Sequence, residues 1–322
     1  MAGERYLGVD GGGTKTRFAL VDGAGLLLAE ARFGTTYHPQ VGLDGVRATL
    51  AAGIDAVLAR AGAGRESIRY AFFGLPAHGE DSRIAPLLDA IPRELLGHDR
   101  YACDNDMVCG WAGSFACGDG INIVAGTGSI GYGQRRGVAA RAGGWGEAFS
   151  DEGSAYWIAV QGMNAFSRMS DGRLPEGPLH ALLRERLRLE HDLDLCARVY
   201  GERAYARGEL AQLSPLVAEA ARQGDAAAAD IFRRAGKELA RIAEALRIAL
   251  GFDDGERVPV SRSGGAFSAG ELLLAPFTRA LEAHSPAFEL HEPLHAPHLG
   301  AALYAMHLAR GAASPAGVGS QS

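Results

Sequence analysis

The sequence predicts an α/β protein with two domains. Strand-like apolar segments alternate with helix-like ones, the chain has 322 residues, and the pattern of its first segments begins again at Gly120. Strands that are followed by helices are typical of an α/β fold with a mixed sheet. A chain of this length can bury a separate core in each of two domains.

Composition and charge exclude several classes of function. Apolar residues make up 47% of the chain and charged residues 22%, which is ordinary for a globular protein. The formal net charge is -6 and no cluster of Lys and Arg is present, which argues against nucleic acid as the main partner. The apolar runs are shorter than a membrane span, and the N-terminus lacks a signal-peptide pattern. We therefore expect a cytoplasmic protein that binds neither nucleic acid nor membrane.

The cysteines and histidines show no pattern of a metal site. The four cysteines are Cys103, Cys109, Cys117 and Cys196. They form no CxxC pair, so we interpret them as reduced, mostly buried thiols rather than ligands of zinc or an iron–sulfur cluster. The histidines between positions 284 and 298 lack a convergent spacing, and we expect them at the surface.

The first element is a glycine-rich hairpin. Mostly apolar segments lie on both sides of Gly11-Gly12-Gly13-Thr14-Lys15, one starting at Arg5 and the other ending at Asp22. Leu26–Leu28 begin a third strand. A run of glycines at a hairpin tip lets backbone amides approach a phosphate closely. On this segment alone, an ordinary glycine turn and a phosphate-binding turn are equally good interpretations.

The rest of the first half predicts a loop and further strands and helices. A polar loop at 33–39 precedes a helix at 42–61, a strand at 67–76, a helix at 83–91 and a strand at 99–104. Asp104-Asn105-Asp106 then leads into a small, apolar helix that begins at Met107. A carboxylate here either caps the helix, which we prefer for Asp104 or Asn105, or acts as a general base at a strand end.

The second half repeats the opening design. A strand at 121–125, the turn Gly126-Thr127-Gly128-Ser129 and a return strand at 130–133 follow one another. Two such hairpins could hold a polyphosphate from both sides of a cleft. The next segment, 142–157, combines glycine, tryptophan and carboxylates, which suits a sugar, although Ser150 or Asp151 could simply cap a helix.

The remaining segments are mostly helical. Helices cover most of 174–250, a strand at 258–261 leads to Ser263-Gly264-Gly265-Ala266, and helices follow at 271–283 and from residue 298. The Gly-Gly pair permits either close packing of a flat ring or a tight turn. We expect residues 312–322 to be a flexible tail.

Taken in this order, the motifs resemble the N-acetylglucosamine kinase group of the BadF/BadG/BcrA/BcrD ATPases, in the actin/hexokinase/heat-shock-70 superfamily. Asp10 to Thr16 is similar to the first phosphate motif, Gly126–Ser129 to the second, and Ser263–Ala266 to the adenosine motif. The segment from Gly143 to Trp157 is similar to the amino-sugar kinase segment and is the most specific match.

The resemblance implies two ribonuclease-H-like (actin-like ATPase) domains around a central cleft. The first would span 1–117 and include a C-terminal helix at about 298–311, and the second would span 118–297 with a helical insertion. The implied reaction is ATP-dependent phosphorylation of the 6-hydroxyl of N-acetylglucosamine or glucosamine, with Mg²⁺, in a protein that is commonly a homodimer.

The resemblance also implies roles for individual residues. Asp106 would be the base, and Asp10 would lie near Mg²⁺. The implied nucleotide-binding residues are Gly11, Gly12, Gly13, Thr14, Lys15, Gly126, Thr127, Gly128, Ser129, Gly264, Gly265 and Ala266, with a phosphate contact of Lys15 left open. The implied sugar-binding residues are Tyr37, Asp106, Gly144, Trp145 and Asp151.

Two positions depart from the pattern of the group. Tyr37 and Ile130 stand where its N-acetylglucosamine kinases have sugar-contacting asparagines. Loss of two amides changes which sugar groups are favoured, so glucosamine, another amino sugar or a hexose stays open.

Three alternatives are weighed against an amino-sugar kinase. An ATPase activator of a radical dehydratase would need paired cysteines for an iron–sulfur cluster, and a sugar-dependent repressor would need a Cys-rich zinc segment; neither pattern is present. A non-catalytic sugar sensor is the third alternative, which the presence of Asp106 as a candidate base disfavours.

Overall fold

The computed structural model describes residues 3–313, which form two compact units. The first unit comprises the chain up to Gly118 together with the chain from Pro293 onward. The second unit is Asp119–Glu292.

Each unit contains one five-stranded sheet and its helices. The strands are β1 (Arg5–Gly11), β2 (Thr16–Asp22), β3 (Leu27–Phe33), β4 (Ile68–Leu75), β5 (Tyr101–Asn105), β6 (Gly120–Ala125), β7 (Ser129–Arg135), β8 (Val138–Gly143), β9 (Val258–Ser263) and β10 (Phe288–His291). The helices are α1 (His38–Arg60), α2 (Ala85–Leu96), α3 (Met107–Phe115), α4 (Ala155–Ser170), α5 (Pro178–Leu187), α6 (Asp194–Tyr200), α7 (Arg207–Ala211), α8 (Ser214–Arg222), α9 (Ala226–Ala249), α10 (Glu271–His284) and α11 (Pro297–Ala313).

The two sheets have the same topology. The first has the strand order β3-β2-β1-β4-β5, and the second has the corresponding order β8-β7-β6-β9-β10. In each, three antiparallel strands are followed by two strands parallel to the first of the unit. The carboxyl ends of β1, β4 and β5 therefore meet at one edge, as do those of β6, β9 and β10. The prediction of two α/β domains of the same kind is confirmed.

Helices cover both faces of the first sheet. Leu7 and Val9 of β1 belong to the core on the side of α1, and the alternation of a strand turns Gly8 to the opposite side. There, a Cβ atom on Gly8 would lie 2.1 Å from the backbone nitrogen of Ala302 in α11. The missing side chain therefore lets the C-terminal helix pack directly on β1.

The core of the second unit is formed around α9. Its buried residues recur every three or four positions, as in Ala235, Leu239, Ala243 and Leu246, and they form one apolar stripe. This helix packs against β6, β7 and β8 as well as α10. The helices α5 to α8 extend the same core, which confirms that residues 174–250 are mostly helical.

Several sequence predictions need correction at element ends. The prediction lacks β8 and β10, because β8 is largely exposed and β10 has only four residues, so neither shows a clear apolar alternation. The cap of α4 is Ser154, whose Oγ accepts a hydrogen bond from the backbone nitrogen of Trp157 at 3.0 Å; it is neither Ser150 nor Asp151. His298 is buried rather than at the surface, and its Nε2 pairs with Glu30.

The last helix is also longer than the sequence predicts. Helix α11 continues to Ala313, so the predicted tail is wrong for residues 312 and 313, and its remainder lies outside the described residues. Within residues 3–313, no helix combines the length and the apolar character that crossing a membrane requires.

We predict that Gly8→Ala lowers the free energy of unfolding by about 1–3 kcal/mol, because the added methyl group meets the backbone of α11 and neither chain segment can yield without repacking. Urea unfolding followed by circular dichroism measures the change. Gly23→Ala is the control, since a Cβ atom there meets nothing within 4 Å. Equal stability of the two variants would contradict the packing of α11 on β1.

Candidate active site

The first of the two turns that the resemblance assigns to phosphate, Gly11–Lys15, is called here the first phosphate turn and closes the hairpin of β1 and β2. The backbone nitrogen of Gly12 donates to the carbonyl of Lys15 at 2.9 Å, which leaves Gly13 and Thr14 at the exposed tip. A Cβ atom on Gly13 would meet nothing within 4 Å. The tip thus offers backbone amides to a ligand in open space, as a phosphate-binding turn requires.

Two threonines that follow β3 fix this turn. Thr35 Oγ1 donates to the carbonyl of Gly12 at 2.7 Å and accepts from the backbone nitrogen of Tyr37 at 2.9 Å. Thr36 is buried, and the Thr16 hydroxyl donates to its Oγ1 at 3.1 Å. Tyr37 is therefore held beside the first phosphate turn. Sequence analysis missed this role of Thr35 and Thr36, for which two consecutive threonines in the loop after β3 are the available signal.

Two carboxylates lie beside this turn, at the edge of the first sheet where the parallel strands end. Asp10 pairs in register with Gly74 of β4, and Asp106 follows the last residue of β5. A Cβ atom on Gly74 would lie 3.2 Å from the Cα of Asp106. The same Cβ atom would lie 2.2 Å from Cys109 Sγ, so a glycine on the middle strand lets α3 pack beneath the two carboxylates.

The electrostatics of this edge are unusual for carboxylates. Burial and then the charge of Asp106 raise the pKa of Asp10 well above the ordinary value, against the opposing charges of Arg17 and Lys15. Burial and then the charge of Glu80 also raise the pKa of Asp106. A site with this charge distribution favours a proton, a cation or a hydrogen-bond donor beside these groups.

Asn105, rather than Asp106, caps α3. Its Oδ1 accepts from the backbone nitrogen of Met107 at 3.2 Å, and its Nδ2 donates to the carbonyl of His78 at 3.2 Å. The Asp106 side chain makes no capping hydrogen bond. The structure therefore agrees with a capping role for Asn105, whereas backbone hydrogen bonds of Asp106 and Met107 lower the pKa of the Asp106 carboxylate against the effect of burial.

The second phosphate turn, Gly126–Ser129, closes the hairpin of β6 and β7. The backbone nitrogen of Gly126 donates to the carbonyl of Gly128 at 2.8 Å. The carbonyl of Gly126 in turn accepts from the backbone nitrogen of Ala155 at 2.8 Å, and Ser129 Oγ donates to the carbonyl of Glu152 at 2.7 Å. The start of α4 thus holds the turn from behind.

The Trp145 loop, residues 143–150, lies next to this turn. The exposed fraction of Trp145 is 73%, which leaves its ring available to a ligand. Gly144 has a φ of +68°, and a Cβ atom on it would lie 2.7 Å from Cδ1 of Ile130. Gly144 therefore packs directly on Ile130, one of the two residues that depart from the family pattern.

Asp151 is placed between the second phosphate turn and α7. It is 3% exposed, its Oδ1 accepts from the backbone nitrogen of Ser129 at 3.4 Å, and its Oδ2 pairs with Arg207. Burial raises the pKa of Asp151, whereas the charge of Arg207 lowers it. Arg207 is a second residue of this region that sequence analysis missed, because it lies 56 positions from Asp151 in the chain.

The adenosine-type motif also contacts the second phosphate turn. Gly264 follows β9 with a φ of +102°, and a Cβ atom on it would lie 2.4 Å from the carbonyl carbon of Ala125. At Gly265, by contrast, a Cβ atom would meet nothing within 4 Å. The side chain of Ala266 is buried in the core, so only its backbone could contact a nucleotide.

The predicted site residues thus form one group in each unit. The first unit brings together Asp10, Gly11, Gly12, Gly13, Thr14, Lys15, Tyr37 and Asp106. The second unit brings together Gly126, Thr127, Gly128, Ser129, Gly144, Trp145, Asp151, Gly264, Gly265 and Ala266. Of the cysteines, Cys109 is buried beneath Asp10 and Asp106, where burial raises its pKa, and Cys196 is exposed.

Comparison with known proteins identifies the family. A profile of the BadF/BadG/BcrA/BcrD ATPase family matches residues 7–305. The chain belongs to this family. The resemblance that the sequence motifs indicate is therefore confirmed.

Relatives of this family member include two curated enzymes. It is 30% identical over 316 residues to an N-acetyl-D-glucosamine kinase of Dictyostelium discoideum, with 95% of this chain and 99% of the relative covered. It is 26% identical over 285 residues to an N-acetylmuramic acid/N-acetylglucosamine kinase of Clostridium acetobutylicum, with 88% and 92% covered.

A solved structure gives the same result for the fold. A protein of Chromobacterium violaceum, described as a candidate N-acetylglucosamine kinase, superposes with a TM-score of 0.73 at 26% identity. The superposition covers 95% of this chain and 100% of the other. The predicted class, two ribonuclease-H-like domains of the actin-like ATPase type, is confirmed.

We predict that the same substitution affects stability at one glycine of the adenosine-type motif and ADP binding at the next. Gly264→Ala lowers the free energy of unfolding by about 1–3 kcal/mol, because its methyl group meets the backbone of Ala125 in a strained conformation. Gly265→Ala keeps the stability of the native protein but weakens ADP binding about tenfold, since its methyl group points into open space.

Urea unfolding and titration calorimetry with ADP measure these two effects. Full-strength ADP binding by Gly265→Ala would contradict a nucleotide contact at this motif.

Proposed function

We propose that the protein is an ATP-dependent amino-sugar kinase that phosphorylates the 6-hydroxyl of N-acetylglucosamine or glucosamine. The observation that carries the proposal is the position of the Asp106 carboxylate. It does not cap α3, and it lies at the same sheet edge as Asp10 and the first phosphate turn. The named activities of the curated relatives support a phosphotransferase with an amino-sugar acceptor.

In this proposal Asp106 accepts the proton of the sugar hydroxyl. Phosphoryl transfer depends mainly on positioning and on neutralising charge, so one carboxylate near the hydroxyl is sufficient. A raised pKa strengthens this carboxylate as a base at neutral pH. Asp106 would also orient the hydroxyl by accepting its hydrogen bond before transfer.

The two glycine turns would hold the phosphates of ATP. Gly13 and Thr14 lie at the exposed tip of the turn in the first unit, and the half-buried Thr127 and Gly128 lie at the tip of the turn in the second. Gly126 and Ser129 would hold the second turn in shape, since their amides and the Ser129 hydroxyl are bonded within the protein. Gly264 and Gly265 would lie against adenosine, where Gly265 leaves room for a flat ring. Lys15 is exposed and could add a positive charge to the first turn.

The residues also fit a magnesium ion. Across the described residues no group of three or more His, Cys, Asp or Glu side chains is placed to hold a metal by itself. Mg²⁺ in nucleotide sites is commonly bound through one or two carboxylates together with water and phosphate oxygens, and Asp10 supplies such a carboxylate. When bound, Mg²⁺ neutralises charge on the phosphate oxygens.

The proposed sugar contacts are those that the family resemblance implies. Tyr37, Asp106, Gly144, Trp145 and Asp151 are the proposed contacts, with the exposed Trp145 ring available to the C–H face of a sugar. Gly144 packs on Ile130, which adds an apolar side chain to the proposed sugar contacts. The same resemblance is the basis for proposing a homodimer in the cytoplasm, which gel filtration and cell fractionation test.

We predict that Asp106→Asn lowers kcat by about 10²–10⁴-fold and leaves ADP binding within twofold, because the amide fills the same space but cannot accept a proton. Stability should not fall, since the variant removes a carboxylate that burial disfavours. Initial rates from coupled ADP detection give kcat.

Asp104→Asn is the matched control. Asp104 is exposed at the same strand end, and its Oδ1 accepts from the backbone nitrogen of Asn105, a bond that an asparagine also makes. Its kcat should stay within twofold of wild type. Wild-type turnover by Asp106→Asn would show that the base is another residue.

A further inference from the structure

Arg207 begins the short helix α7 and reaches two carboxylates in other parts of the second unit. Its Nη2 pairs with Asp151 Oδ2, and its Nε lies 3.3 Å from Glu147 Oε2. The Arg207 side chain is 32% exposed, whereas the Asp151 side chain is 3% exposed. One guanidinium therefore connects an insertion helix to a buried acid and to a surface loop.

The buried acid is in direct contact with the second phosphate turn. Asp151 uses its other oxygen to accept from the backbone nitrogen of Ser129. A Cβ atom on Gly128 would lie 2.6 Å from Arg207 Nη2 and 2.8 Å from Asp151 Oδ2. The ion pair thus packs directly against Gly128 and holds the Ser129 amide of the turn.

Charge makes this arrangement depend on the arginine. Asp151 is buried, and a buried carboxylate without a cation is strongly disfavoured. The groups that act on it are the Arg207 cation of α7, the Ser129 amide of β7 and the Glu147 carboxylate of the loop. Only the first is a formal positive charge, so Arg207 is the cation that opposes the rise that burial causes in the pKa of Asp151.

The surface loop is the one that carries Trp145. Glu147 lies two residues beyond Trp145, and the guanidinium of Arg141 donates to the carbonyl of Gly144 at 3.0 Å. Arg207 and Arg141 therefore each contact the loop, one at Glu147 and the other at Gly144. A change at Arg207 acts on the loop and on the second phosphate turn together.

We propose that Arg207 is a positioning residue, which holds the second phosphate turn and the Trp145 loop in place through its pairs with Asp151 and Glu147. Arg207 acts through these residues, without touching the reacting atoms. The role in catalysis rests on the proposed kinase function, whereas the effect on the nucleotide-binding turn does not depend on which sugar is the acceptor.

The test compares Arg207→Met, Arg207→Lys and the control Arg173→Met. Arg173 forms an exposed pair with Asp171, so the control removes an arginine–aspartate pair away from the site. We expect Arg207→Met to lower kcat/KM for both sugar and ATP about 10–100-fold, the range for residues that orient a site from behind. Arg207→Lys should recover part of the loss, and Arg173→Met should equal wild type.

The pH profile separates positioning from a general loss of stability. In Arg207→Met the pKa of Asp151 rises further, because burial is no longer opposed by a cation. The carboxylate then takes up a proton at a higher pH than in wild type, so activity falls at a higher pH on the acid side. Asp151→Asn/Arg207→Met has no carboxylate to protonate, and its acid limb should return to the wild-type position.

Titration calorimetry with ADP completes the test, since it needs no sugar. We expect Arg207→Met to weaken ADP binding about fivefold or more through the displaced second phosphate turn. If wild type phosphorylates no sugar but Arg207→Met loses ADP affinity, the kinase proposal fails and the positioning of the turn stands. If Arg207→Met keeps wild-type kcat/KM or ADP affinity, or only its stability falls, the proposal for Arg207 is overturned.

Discussion

The candidate site depends on two carboxylates that the fold keeps largely out of water, although their charged forms would be better solvated there. Asp10 and Asp106 lie at the ends of parallel strands, and burial raises the pKa of each. Water alone would stabilise these groups better than the protein does, so their position is a cost that the rest of the unit must offset. The offset comes from close packing beneath them, where α11 lies on Gly8 and Cys109 of α3 lies under Gly74.

The second unit uses the same topology for a different balance of charge. Its phosphate turn has a buried carboxylate behind it as well, but here Asp151 has a cationic partner in Arg207. The partner comes from α7, which is part of the helical region between β8 and β9 and has no counterpart in the first sheet. The insertion thus contributes to the site as well as to the size of the core.

Sequence analysis predicted the parts of this protein that are local in the chain. The glycine turns, the strand before Asp106 and the long apolar stripe of α9 each follow from spacing within a few residues. The edge strands β8 and β10 escaped it because exposed or very short strands lack a clear alternation. The cap of α4 was placed too early, since Asp151 is used by Arg207 instead of the helix.

Contacts between distant segments could not be predicted. Thr35 lies 23 positions from Gly12, and Arg207 lies 56 positions from Asp151. The proposed roles of Asp106 and Trp145 come from the resemblance to the family, because spacing alone left open a cap, a base and a sugar contact. What the structure adds is the set of residues that hold these groups in place.

The proposed reaction is direct transfer of a phosphoryl group from ATP to an amino sugar. The most direct measurement is phosphorus–proton correlation NMR of the products formed from ATP, Mg²⁺ and N-acetylglucosamine or glucosamine. We expect ADP and an equal amount of sugar phosphate, with phosphorus coupled to the two protons on C6. Release of inorganic phosphate without a sugar phosphate would contradict it.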